Sequence, residues 1–99
     1  MSYGHDRERK VRDLLLNQDW WVCRAAGSLG DADLVALKDG HTPMLVEVKG
    51  RAAGPYHSFG PKDRADLRQA AFIAGAKPIL CWWPPRGKPQ WIEAGSWPS

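Results

Sequence analysis

The chain has 99 residues, of which 43% are hydrophobic, and carries 14 lysines and arginines against 11 aspartates and glutamates, for a net charge of +3. This length makes one small domain, residues 1–99, that buries about two-thirds of its unfolded surface, and the apolar content excludes global disorder. The mild basicity permits an anionic partner without requiring one.

The first segment, His5-Asp6-Arg7-Glu8-Arg9-Lys10, is charged and unlike a signal peptide, and no apolar run is long enough to span a bilayer. From His5 to Gln18 the spacing predicts a helix, with Val11, Leu14 and Leu15 at i, i+3 and i+4. Glu8 continues that stripe at the helix start, where an acid is also favoured by the macrodipole and can simply be solvated. Asn17-Gln18-Asp19 fits a turn, and Trp20 to Cys23 reads as a buried strand ended by Arg24. Ala25 to Gly30 is a small-residue loop containing Ser28; its amides could approach phosphate, although most Gly-Ser loops are only turns. Cys23 and Cys81 have neither zinc-site nor disulfide-framework spacing, and read as buried reduced thiols of a cytoplasmic protein.

Gly30 to Gly50 reads as a hairpin: an apolar run after Asp33, a Lys38–Thr42 turn, then Pro43-Met-Leu-Val-Glu-Val-Lys49. Alternation places Glu47 and Lys49 on one face and Val46 and Val48 on the other. Antiparallel pairing brings Asp33, for which Asp31 is a rival, beside Glu47 and Lys49. Two carboxylates and an ammonium then converge at one end of an apolar sheet, a set suited to a hard divalent cation.

Gly50 to Pro61 is loop, whose Arg51, Tyr56, His57 and Phe59 suit nucleic acid as well as they suit a plain connection. A second helix is predicted from Lys62 to Ala76, with Leu67, Ala70, Ala71 and Ala74 buried and Arg64 and Arg68 on another face. Pro78 to Trp83 is a buried strand stopped by Pro84-Pro85, Gln90 to Glu93 a last short strand, and Gly95 to Ser99 a frayed tail. The six tryptophans read as core or as a dimer face.

Asp33 followed by Glu47-Val48-Lys49 resembles the catalytic pattern of the PD-(D/E)xK nuclease superfamily. Together with Glu8-Arg9 in a charged first helix, a strand ending at Arg24, the Ala-Gly-Ser loop, and the later helix and Pro-initiated strand, the order is similar to that of archaeal Holliday junction resolvases over nearly the whole chain. Ala32 stands where the superfamily name has proline, a position that is not a ligand. The resemblance implies an α/β, restriction-endonuclease-like core, a mixed central sheet flanked by helices, and a magnesium-dependent endonuclease acting on four-way DNA junctions as a homodimer. Its catalytic residues fall on Glu8, Asp33, Glu47 and Lys49, and Arg24 and Ser28 match its basic and serine positions. On this reading Asp33, Glu47 and the Val48 backbone carbonyl hold Mg²⁺, for which Mn²⁺ can substitute. Glu8 could complete the shell, directly or through water. Lys49 orients the attacking water or stabilises the transition state. Arg9, Lys10, Arg24, Arg51, Lys62, Arg64 and Arg68 hold backbone phosphates. The alternatives are another nuclease of the superfamily, nicking or restriction-like, and a non-catalytic nucleic-acid-binding domain. Acids facing phosphate argue against the last.

Overall fold

The computed structural model of the chain describes residues 3–25 and 32–98. The elements are α1 (Tyr3–Asn17), β1 (Trp21–Arg24), β2 (Leu34–Leu37), β3 (Met44–Lys49), α2 (Pro61–Ala74), β4 (Lys77–Trp82) and β5 (Gln90–Glu93), followed by a 3-10 turn at Ala94–Ser96. The strands form one sheet in the order β1-β2-β3-β4-β5. The β1/β2, β2/β3 and β4/β5 pairs are antiparallel and β3/β4 is parallel. A short turn through Gly40, at φ 78, closes the hairpin between β2 and β3. A parallel pair needs a crossover, and α2 supplies it. Among the described residues no helix is long and apolar enough to cross a membrane.

The sheet is covered on both faces. Val11 and Leu15 of α1, one turn apart, pack on Leu34, Ala36, Val46, Val48, Ile79 and Cys81. On the other face Leu67 of α2 joins Ala32, Phe59, Leu80 and Trp97. Double coverage explains the unbroken apolar run Ile79-Leu80-Cys81 in the interior strand β4, whose alternate residues serve opposite cores. Burial pushes the Cys81 thiol up to about 12. The second helix starts where Gly60 N–H donates to Asp63 Oδ2 at 3.2 Å, with Pro61 at the first helical position. It stops at Gly75, whose φ of 65 is left-handed and whose N–H returns to the last-turn carbonyls.

Four expectations are corrected. The strand expected to be buried at Trp20 to Cys23 is the sheet edge β1: Trp21 is 59% exposed and Cys23 is exposed, because an edge strand gains cover only where α1 reaches it, at Val22. The expected frayed tail is packed, with Trp97 edge-on to Phe59 at 5.1 Å and its indole N–H donating to Ile92 O at 3.1 Å. Ala74, expected on the buried face of α2, is exposed. Arg64, expected to hold phosphate, is instead buried beside Leu67, and its Nη1 donates to Phe59 O at 2.7 Å. Its guanidinium also lies over the Tyr56 ring at 5.6 Å. The long stem of Arg64 fills the core and its donors satisfy a buried carbonyl that loop 50–60 would otherwise leave unpaired.

Candidate active site

Asp33 lies just before β2 and is pinned on three sides. Its N–H donates to Val46 O at 2.9 Å, its carbonyl accepts from Ala25 N at 2.9 Å, and its Oδ2 accepts from Val48 N at 2.8 Å. The hairpin register, Leu34 opposite Val46, brings it to Glu47. Val46 and Val48 pack toward α1, so alternation turns Glu47 and Lys49 toward the other face. There Lys49 Nζ lies 3.6 Å from Glu47 Oε2, with side chains 21% and 17% exposed. Alternation along β3 turns the Val48 carbonyl to the same β2 side as its N–H.

Glu47 is pushed up from 4.5 to about 8, chiefly by burial, then by its hydrogen bond to Asp33 and the Asp33 charge; Lys49 opposes this. Two close carboxylates that resist joint ionisation, with a lysine beside them, form a donor set that fits a hard divalent cation: oxygen ligands, net negative charge when ionised, and a low-dielectric surround. Among the described residues no three His, Cys, Asp or Glu side chains are grouped to hold a metal, so Asp33 and Glu47 stand as a pair.

Glu8 faces inward, its side chain 16% exposed, and its Oε1 accepts from Arg24 Nε at 3.2 Å. It lines a small cleft with Arg9, Arg12, Arg24 and Leu34. Leu34 belongs to the α1 side of the sheet, whereas Glu47 and Lys49 turn to the α2 side, so Glu8 approaches the sheet end from the opposite face.

The expected phosphate-binding residues are dispersed. Lys10 Nζ lies 5.8 Å over the Trp83 ring, and Lys62 pairs with Asp66 at 2.7 Å. Arg68 donates to Ala94 O at 2.9 Å and stacks over Trp97 at 5.3 Å. Arg51 is exposed, with its carbonyl taken by Trp82 Nε1 at 2.8 Å. Ser28, with the rest of its loop and Asp31, lies outside the described residues. Sequence reasoning missed a cavity of about 500 Å³ beside Lys49, to which Arg7, His57 and Ser58 contribute. The only signal for it was Gly50 directly after Lys49, since no periodicity marks Arg7 as different from its charged neighbours.

Comparison with known proteins gives a consistent picture. A family model described as archaeal Holliday junction resolvase matches residues 1–94. The fold is similar to the solved structure of a Holliday junction resolvase from the archaeal hyperthermophile Archaeoglobus fulgidus, with a TM-score of 0.83 and 26% identity, covering 95% of this chain and 75% of that one. No curated protein matches the sequence.

Proposed function

The chain belongs to the archaeal Holliday junction resolvase family, nucleases that hydrolyse DNA phosphodiester bonds, and from that membership we propose that the Asp33–Glu47–Lys49 end of the sheet is its catalytic centre. The observation that carries this reading is the pinned Asp33 carboxylate against a Glu47 that is held largely protonated near neutral pH. Such a pair is poorly stable as two bare anions and well suited to a cation.

Asp33 and Glu47, with the Val48 carbonyl, would hold Mg²⁺, or Mn²⁺ in its place. The bound cation supplies polarisation of the scissile phosphate and acidification of water. The protein's own groups do the rest. The three backbone hydrogen bonds of Asp33 fix its carboxylate before substrate arrives. Lys49, held near Glu47, presents its remaining ammonium protons to the attacking water or to the charge that develops on phosphate. Glu8 keeps Arg24 at the sheet end and can reach the metal through water. Arg9, Lys10, Arg24 and Arg51 hold flanking phosphates.

The substrate we propose is a four-way junction, cut by paired nicks from a two-fold homodimer. The dimer is supported by Phe72 and Ile73 of α2, adjacent and 83% and 75% exposed, an apolar pair that a small domain seldom leaves in water. The test is Mg²⁺-dependent cleavage of a synthetic junction beside duplex of the same sequence. We expect symmetrical nicks in opposed strands of the junction and little cutting of duplex. Equal cutting of both would favour a nicking or restriction-like enzyme, and cleavage undiminished in Lys49→Ala would overturn the site.

A further inference from the structure

The cavity beside Lys49 is lined by Arg7, Gly50, Arg51, His57 and Ser58 among others, with no carboxylate among the described residues of its wall. Its volume of about 500 Å³ falls within the range of sites that enclose small ligands. Arg7 is half-buried, yet among the described residues it makes no hydrogen bond or ion pair. Of the other arginines, Arg12 meets Asp13, Arg24 of β1 meets Glu8, and Arg64 and Arg68 donate to backbone carbonyls, while Arg9 is exposed to water and needs no partner. A half-buried guanidinium without an acid is costly, and the cost is offset when an anion arrives.

The backbone makes room for this arginine. A Cβ at Gly50 would stand 2.9 Å from Arg7 Nε, 3.0 Å from Cγ and 3.1 Å from Cδ. These are atoms along the middle of the side chain, so any residue larger than glycine would dislodge its whole outer half. Gly50 follows Lys49 directly, so the seat of Arg7 is tied to the catalytic strand. Asp33 and Glu47 do not line the cavity, whereas Lys49 does. A strand whose reacting phosphate sits at the carboxylates would therefore enter the cavity with a neighbouring phosphate.

We propose that Arg7, seated on Gly50, binds the phosphodiester next to the scissile one in the cleaved strand, and that this cavity sets the strand's register on Lys49. This rests on the reading of Asp33, Glu47 and Lys49 as the catalytic centre. Arg7 would act as a bidentate phosphate clamp, which arginine geometry favours over lysine.

The test uses the full chain and a four-way junction in EDTA, where binding is measured without cleavage. In Arg7→Met, which keeps the stem and removes the charge, the slope of log affinity against log salt should fall by about 0.9 per bound chain, as for one lost phosphate contact. The affinities of wild type and variant should converge as salt rises. Gly50→Ala should reproduce this loss, and the double variant should add nothing further. Junctions with a single neutral methylphosphonate should locate the contact: one linkage beside the cut weakens wild type and leaves Arg7→Met unchanged. An unchanged slope in both single variants, or a methylphosphonate penalty equal in wild type and Arg7→Met at every linkage, would overturn the proposal. Cleavage retained by Glu47→Gln would instead overturn the catalytic centre beneath it, so the two failures read differently.

Discussion

Replacing Glu47 by glutamine should stabilise the metal-free protein at alkaline pH. Glu47 titrates near 8 in the folded chain and near 4.5 when unfolded, because burial and Asp33 together disfavour its charge. Below pH 4.5 both states hold the proton and the stability associated with it is fully present. Between 4.5 and 8 the unfolded chain releases the proton first, so stability falls as pH rises, by up to about 1.4 kcal/mol per pH unit. Above 8 the loss is complete. The Asp33 carboxylate and the Lys49 ammonium act on the Glu47 charge in opposite directions, so the overall loss should be ~1–3 kcal/mol, as for one poorly compensated buried charge. Glutamine stays neutral throughout and retains a carbonyl for Lys49 and an amide for Asp33. For a domain of this size 1 kcal/mol moves Tm by about 4–8 °C, so Glu47→Gln should melt several degrees above wild type at pH 8.5 in EDTA and close to it at pH 5. Added Mg²⁺ should then raise the wild-type Tm at pH 8.5 and leave the variant nearly unmoved. Thermal melts across pH 5–9 would decide it. A variant that is less stable than wild type by the same margin at every pH would refute the reasoning, since Glu47 would then be a structural hydrogen-bonding group and not a strained carboxylate.

Asp33→Asn should abolish junction cleavage while binding stays within a few-fold of wild type, measured by mobility shift; retained cleavage would dismiss Asp33 as a ligand. Glu8→Gln should change stability by no more than about 1 kcal/mol, because Arg24, its partner, is half-exposed; if Glu8 serves the metal, its cleavage rate nevertheless falls by orders of magnitude. Arg64→Met should cost roughly 1–3 kcal/mol by stranding the Phe59 carbonyl, with no change in the salt dependence of DNA binding. Replacing Phe72 and Ile73 together by aspartate should yield a folded monomer by sedimentation, and a persistent dimer would move the interface off α2.

The order of elements and the central cluster could be read from the chain because both depend on local periodicity. Period two along Met44–Lys49 separates Val46 and Val48 from Glu47 and Lys49 whatever the sheet does, and a tight hairpin then leaves Asp33 one place to go. The stripe of α1 likewise turned Glu8 inward. Where period gives no information, tertiary packing decided. An arginine on a helix is equally legible as solvated, core or ligand-binding, and only the approach of loop 50–60 drew Arg64 to the Phe59 carbonyl while leaving Arg7 on the wall of the cavity beside Lys49. Composition cannot tell an edge strand from a central one, so the burial of Cys81 and the exposure of Cys23 followed from strand order alone. Trp97 was drawn from an apparently loose tail by the ring of Phe59, which is in place only once Leu67 of α2 and Leu80 of β4 close the second core around it. The charged residues at the sheet end were thus set by the chain's own alternation, whereas the cations that surround them were sorted by long-range contacts, because a side chain several bonds long takes its direction from whatever carbonyl, carboxylate or void the fold puts within reach.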